Sequence, residues 1–288
     1  MNQNERLDYL AEQFAKEYDE TVRRTASPYE KASMQYRKLE IPDDAAGKWR
    51  LLRSLMNVRM PGKLPSSVLE VQDAYLKERI LENGIVQIAD LPTAADQGSS
   101  HPHAEHISVW QGDITRLAAD AIVNAANSQM LGCFVPMHSC IDNCIHTFAG
   151  VQLRAECSRK MNELRAKFGP EYEQPTAVPM LTDGYNLPAK KVVHIVGPIV
   201  SGRLTKALEE DLADCYHSTL DLCLENEIKS VAFCCISTGV FHFPNRRAAE
   251  IAVQTVTEWM DQHPGQMERI IFNVFKEEDK IYYEAEIQ

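Results

Sequence analysis

The sequence predicts an α/β protein with a mixed or mostly parallel sheet, preceded by a small helical extension. Three observations carry that expectation. Residues 1–90 place apolar side chains at helical spacing between helix start and stop signals. Beyond residue 106, six short apolar runs read as strands, several of them continuous as in strands buried on both faces. Helical patterns lie between those runs, and such alternation implies helices layered on a sheet.

Taken in order, Leu7, Leu10 and Phe14 mark a first helix. Ser27-Pro28-Tyr29-Glu30 is a start signal, with Ser as N-cap, Pro at the first helical position and Glu at the third. A third helix is predicted from about Asp44 to Val58 and is stopped by Pro61-Gly62. A fourth runs from about Ser67 to Glu82 and ends at Asn83-Gly84. No catalytic cluster occurs here, so packing or partner recognition is the expected role. Residues 91–106, LPTAADQGSSHPHAEH, have the composition of a solvated linker. Its His101, His103 and His106 lack the surrounding cysteines or carboxylates of a metal site. Residues 107–288 form the α/β domain. Strands are predicted at Ile107–Gly112, Ala121–Ala125, Thr176–Leu181, Lys191–Val196, Ser230–Ile236 and Arg269–Phe275. Helices are predicted at about Asn143–Lys167, Leu204–Glu225 and Asn245–Asp261, with a last one after Lys276.

Composition narrows the function. Apolar residues are 44% and charged residues 25%, as in a folded globular protein. The net charge of −11 argues against nucleic-acid binding. Residues 1–100 carry 14 basic and 16 acidic groups, and the rest carry 16 and 25. A phosphate ligand in the second part would therefore be held mostly by backbone N–H groups. No uncharged run suits a membrane span, and MNQNERLDYL lacks the features of a signal peptide, so a cytoplasmic protein is expected. The eight cysteines then read as reduced thiols. Cys157, Cys215 and Cys223 fall in helical patterns as small core residues, and adjacent Cys234 and Cys235 would point to opposite faces of a strand.

Ligands of such sheets bind outside the carboxyl ends of the strands. Three segments stand there. Gly112-Asp113-Ile114-Thr115 offers a carboxylate that would either cap a helix or bind a ligand. Val123–Ser128 presents Asn124 and Asn127, whose amides both donate to and accept from hydroxyls. Ile236–Pro244 runs through Ser237-Thr238-Gly239, a small-residue turn able to cradle a diphosphate. No P-loop and no strand-linked GxGxxG occurs. Between these segments, Cys133-Phe134-Val135-Pro136-Met137-His138-Ser139-Cys140 gathers two thiols and an imidazole. That donor set suits zinc, and three protein ligands leave a fourth position open; the alternative is a free-thiol loop. Cys144 and His146 are rival ligands at helical positions, expected to face the core. Asp142 would orient or deprotonate water beside a metal, or cap the following helix.

Together these residues resemble the macrodomain family, the ADP-ribose-binding three-layer α/β/α module with a mixed central sheet. The resemblance rests on GDIT at 112–115, IVNAAN at 122–127, Asp142 with Cys144-Ile145-His146, GYNLPAK at 184–190, VVHIVGP at 192–198 and STGVFHFP at 237–244. It covers about residues 105–285. Where ordinary hydrolytic macrodomains carry a glycine run, this chain has Cys133–Cys140, which resembles a zinc-containing subgroup with a helical N-terminal extension. Members of that subgroup are regarded as protein-ADP-ribose hydrolases, some associated with a sirtuin-type ADP-ribosyltransferase and a lipoylated carrier protein. The resemblance implies that Asp113 binds adenine, with the Ile114 backbone nearby. It implies that Asn127 binds the distal ribose, that Ser237, Thr238, Gly239, Val240 and Phe241 wrap the diphosphate, and that Phe275 stacks on adenine. It further implies that Asp142, with Asn127, is catalytic, and that Cys133, His138 and Cys140 hold one zinc ion. A zinc-dependent hydrolase removing mono-ADP-ribose from protein side chains is expected, as a monomer. The alternatives are an O-acetyl-ADP-ribose deacetylase and a non-catalytic ADP-ribose reader with a structural zinc.

Overall fold

The computed structural model describes residues 1–26 and 39–288. The start signal at Ser27–Glu30 lies outside the described residues. The first helix, α1 (Gln3–Thr25), opens on a capping box: Asn2 Oδ1 accepts from the Glu5 N–H at 2.9 Å and Glu5 accepts from the Asn2 N–H at 2.8 Å. The next, α2 (Ala45–Val58), is capped by Asp44, which accepts from the Gly47 N–H at 2.8 Å. The third, α3 (Ser66–Asn83), ends at Gly84 with φ 82°. Leu7, Leu10 and Phe14 of α1 bury against Leu52, Leu55 and Met56 of α2 and Tyr75 and Leu76 of α3. Val151 of the α/β domain belongs to the same cluster, so the extension is packed onto the domain.

The chain continues through β1 (Val86–Gln87), β2 (Ile107–Gln111), β3 (Leu117–Ala118) and β4 (Ala121–Ala126). Two helices follow, α4 (Ile141–Ala149) and α5 (Val151–Phe168), then β5 (Met180–Asp183) and β6 (Lys191–Val196). The remainder is α6 (Lys206–Glu225), β7 (Ser230–Phe233), α7 (Asn245–Gln262), β8 (Arg269–Val274) and α8 (Glu277–Glu286). Six strands form one sheet in the order β2-β8-β7-β4-β6-β5, parallel except for β5, which runs antiparallel to β6. Helices flank this mixed sheet in a three-layer α/β/α arrangement. Val123, Val193, Val231 and Ile271 are fully buried in it. Cys157, Cys215 and Cys223 are core residues, as their positions predict. No described helix is long and apolar enough to cross a membrane.

Pairing of β4 with β7 covers only Ala121↔Val231 and Ile122↔Ala232, while β4 pairs with β6 along its whole length. The carboxyl ends of β4 and β7 are therefore free of each other, and in such sheets a ligand enters at that parting.

Three expectations need correction. The helix expected over 143–167 is two helices broken at Gly150, whose φ is 93°. A Cβ there would meet Gln152 Oε1 at 2.6 Å, Gln72 Nε2 at 2.7 Å and Asn186 Nδ2 at 2.9 Å. The break thus admits Gln72 of the extension, which accepts from the Val151 N–H at 3.2 Å. The strand expected at 176–181 begins only at Met180, because Ala177 turns at φ 60° and donates its N–H to Val196 O at 3.0 Å. The segment 91–106 is no solvated connector: Leu91, Ala94 and Ala104 join the main core, and Ser99 hydrogen-bonds to the carbonyl of Ile287.

Gly150→Ala should destabilise the protein by about 1–3 kcal/mol, since it forces a side chain into left-handed backbone and crowds Gln72. Urea unfolding measures this, and an unchanged midpoint would show that the break tolerates a Cβ.

Candidate functional site

At the end of β2, Asp113 caps a single 3-10 turn. Its Oδ1 accepts from both the Thr115 N–H (3.0 Å) and the Thr115 hydroxyl (2.7 Å). The capping role is real, but it uses one oxygen; Oδ2 has no partner among the described residues. Ile114 behind it is buried. Gly112 is required beside it, because a Cβ would stand 2.4 Å from the Trp110 ring. The Gly112 N–H donates to Val274 O at 3.0 Å, so the end of β2 is bound to the end of β8. There Phe275 is 82% exposed, with its carbonyl accepting from Gln111 Nε2 at 3.2 Å. Asp113 and a bare aromatic ring thus share one corner of the sheet.

The turn after β7 has Ser237 at φ 63° and His242 at φ 57°. It closes through the Phe243 N–H to Ser237 O (3.0 Å) and the His242 N–H to Gly239 O (3.1 Å). Among the described residues, the N–H groups of Gly239, Val240 and Phe241 donate to nothing, and Val240 is 67% exposed. Open space surrounds Gly239. Unpaired N–H groups at a helix entrance suit an anion. The turn is braced by the loop after β6. Gly197 there lies so close that a Cβ would stand 2.1 Å from Ser237 Oγ, and the Val200 N–H donates to Phe241 O at 2.9 Å.

Between these two corners, Asn124 of β4 and Asn127, just past its end, face the start of α4. Asp142, in the first turn of α4, is buried. Its Oδ1 accepts from Asn124 Nδ2 at 2.8 Å; Asn127 Nδ2 stands 3.5 Å from Oδ2. Burial raises the Asp142 carboxyl to about 6, against the pull of the Asn124 hydrogen bond and the Arg154 charge. His146, one turn on, lies 3.5 Å from Oδ1 and is kept neutral by burial. Its ring packs on Gly132, where a Cβ would come within 2.7 Å of it.

The Cys133–Cys140 loop leads directly into the first turn of α4, which carries Asp142. Cys133 Sγ, His138 and Cys140 Sγ have their ligand atoms within 4.8 Å of one another, with Cys133 Sγ 3.6 Å from His138 Nδ1. Cys140 is the N-cap of α4 and its sulfur accepts from the Asn143 N–H at 3.4 Å. Burial pushes the Cys140 thiol up to about 12 and outweighs that N–H, which favours the thiolate a metal requires, so a metal ion would have to supply the charge that draws the proton off. Two sulfurs and one imidazole nitrogen at this spacing fit a borderline-soft ion with an open position. Cys144 and His146 stand outside the group. Cys144 meets Arg53, and His146 is near Cys157 and His194 in a second, fully buried cluster. That cluster is hydrogen-bonded through His194: Nδ1 faces Asn124 Nδ2 at 3.1 Å and Nε2 faces Thr182 Oγ1 at 2.9 Å. With both its nitrogens engaged, His194 has none left for an ion.

The macro domain family matches residues 123–252. A protein-ADP-ribose hydrolase of Treponema medium is 50% identical over 248 residues, covering 86% of this chain and 90% of its own. The chain belongs to the macrodomain family. A protein-ADP-ribose hydrolase of Staphylococcus aureus is 42% identical to this macrodomain over 250 residues, covering 86% and 88%. The Trypanosoma brucei macrodomain in complex with ADP-ribose superposes with a TM-score of 0.60 at 30% identity, covering 81% of this chain and 94% of that one.

In the macrodomain site, Asn124 has a role other than the ligand amide the sequence suggested, and His194 is a partner that sequence reasoning missed. Asn124 is fully buried and gives one amide hydrogen to Asp142 and the other to His194. The signal for that inward role was a polar residue in an otherwise apolar central strand. His194 looked like one more strand position. Accepting from Asn124 at Nδ1, it must carry its proton on Nε2, toward Thr182.

Burial holds the His194 pKa down to about 3, from an ordinary 6.5. The unfolded chain takes up this proton below about pH 6.5, and the folded chain does not. The stabilisation is therefore complete above pH 6.5 and is lost as pH falls toward 3, at up to about 1.4 kcal/mol per pH unit. Between about pH 6 and 4.5, the unfolding free energy of the wild type should fall more steeply than that of His194→Asn by about 1 kcal/mol per unit. Parallel slopes in urea titrations would mean that the folded protein accepts this proton.

Proposed function

We propose that this macrodomain hydrolyses mono-ADP-ribose from modified protein side chains. The observation that supports it best is the buried Asp142 carboxylate, with one oxygen fixed by Asn124 and the other turned toward Asn127. The strand-end groups around it suit the rest of an ADP-ribose ligand. Asp113 Oδ2 would accept from the adenine amino group, with the Ile114 backbone nearby and Phe275 stacked on the ring. The free N–H groups of Gly239, Val240 and Phe241, with Ser237 and Thr238 shaping the turn, would hold the diphosphate. The acidic chain needs no lysine or arginine there. The distal ribose would then lie against Asn127 and Asp142.

Asp142 Oδ2 would orient a water toward the anomeric carbon and take its proton. The new bond forms from water oxygen to that carbon as the bond to the protein side chain breaks. The leaving group departs with the bonding electron pair and takes up a proton from water, and Asp142 returns the proton it accepted to solvent. A carboxyl with a pKa near 6 is a carboxylate at neutral pH and still basic enough for this transfer. Asn124 limits the carboxylate to one orientation, and Asn127 binds the ribose hydroxyls. Cys133, His138 and Cys140 would hold one zinc ion, which when bound supplies Lewis acidity beside the distal ribose.

Two variants separate the parts of this reading. Asp142→Ala should lower release of ADP-ribose from a modified protein by at least about 100-fold, the scale of a general base. Affinity for free ADP-ribose, measured by calorimetry, should change only a few-fold. Wild-type turnover in this variant would remove Asp142 from the chemistry. Cys140→Ser replaces a thiolate ligand with a poor one and should lose zinc by elemental analysis together with turnover. A zinc-free Cys140→Ser protein with full turnover would refute zinc dependence and leave the hydrolase reading resting on Asp142.

A further inference from the structure

The Cys133–Cys140 loop does not hold its shape alone. Met137, beside the ligand His138, is a non-glycine residue at φ 59°. Left-handed backbone of this kind persists only where the surroundings enforce it. The enforcing contact comes from the extension: Asn57, buried in the last turn of α2, accepts from the Met137 N–H through Oδ1 at 3.0 Å. Its Nδ2 donates to Thr147 Oγ1 at 3.0 Å and so fixes the amide against α4. One turn earlier on α2, Arg53 Nη2 donates to His138 O at 2.8 Å and to Asn143 Oδ1 at 2.9 Å. Asn143 in turn donates to Val135 O at 2.9 Å, in the middle of the loop. Two side chains of one helix face, four residues apart, thus grip the residue before the ligand imidazole and the carbonyl of the imidazole's own residue.

From this juxtaposition we propose that the N-terminal helical extension is a positioning element for the metal loop. Asn57 and Arg53 set the spacing of Cys133, His138 and Cys140. The inference rests on the metal reading of the loop. Neither residue reaches the ion; each orients the backbone that carries a ligand, the role outer partners play at metal centres. Without Asn57 the Met137 N–H loses its acceptor and the left-handed turn is free to relax, carrying His138 away from the two sulfurs.

The test uses the full chain with Asn57→Ala, Arg53→Ala and, as a control, Leu10→Ala, which loosens the core of the extension without touching either contact. All are compared at a temperature where circular dichroism shows each folded. Zinc affinity is measured by competition with a chromophoric chelator. Alkylation of Cys133 and Cys140 by iodoacetamide is followed by peptide mass mapping in the zinc-free protein. Asn57→Ala and Arg53→Ala should each bind zinc about tenfold more weakly, the scale of lost outer contacts. Their Cys133 and Cys140 should be alkylated about tenfold faster, with Leu10→Ala matching the wild type in both. Wild-type values in both contact variants would overturn the proposal. So would an equal loss in Leu10→Ala, which would make the effect one of general stability. If the wild type binds no zinc but the contact variants still expose the two thiols, the metal reading fails and the clamp on the loop stands.

Discussion

A buried guanidinium joins the two parts of this protein. Arg154 of α5 is almost inaccessible to water, and burial lowers its pKa to about 10. A charge in such a place persists only if its donors are satisfied. Nη1 donates to the carbonyls of Met56, Asn57 and Arg59 at 3.0, 2.8 and 2.6 Å. Those of Met56 and Asn57 belong to the last turn of α2, where a helix leaves carbonyls unpaired and presents negative partial charge. Nε donates to Leu131 O at 2.7 Å just before the Cys133–Cys140 loop, and the guanidinium lies 4.3 Å from the Phe134 ring centre. One side chain thus completes a helix, anchors a loop and offsets the Asp142 charge. Arg59 is in turn paired with Glu17 of α1 at 2.8 Å, which carries the connection across the extension.

What was legible in the sequence follows from what is local. Helix starts and stops depend on neighbours three or four residues away, so Asp44, Gly84 and the strand at 191–196 fell where their patterns placed them. Asp113 could be read as a cap or as a ligand, and the geometry explains the ambiguity: the cap engages one carboxylate oxygen only. The Cys-His-Cys group was visible because all three residues sit on one short loop.

The rest depended on distant partners. The break at Gly150 is caused by Gln72 and Asn186, neither near it in sequence. Residues 91–106 look solvated because only a few of them are apolar, yet Leu91, Ala94 and Ala104 all point inward. Asn124 earns its place from Asp142 and His194, 18 and 70 residues away. Arg53 and Asn57 sat in an ordinary amphipathic helix, and nothing in its period distinguishes a surface arginine from one that grips a loop.

The contacts between α2 and the loop region span long stretches of chain: Arg53 and Asn143 are 90 residues apart. Bringing such distant points together costs roughly 4 kcal/mol of chain entropy before any contact repays it. On a growing polypeptide, α2 emerges well before the loop, and its last-turn carbonyls stay without their guanidinium until residue 154 has followed. Cys133, His138 and Cys140 lie within eight residues, yet the loop that carries them is held by side chains that are far off in the chain. Extension and loop therefore complete each other: neither has its final hydrogen-bond partners until both stretches of chain are present.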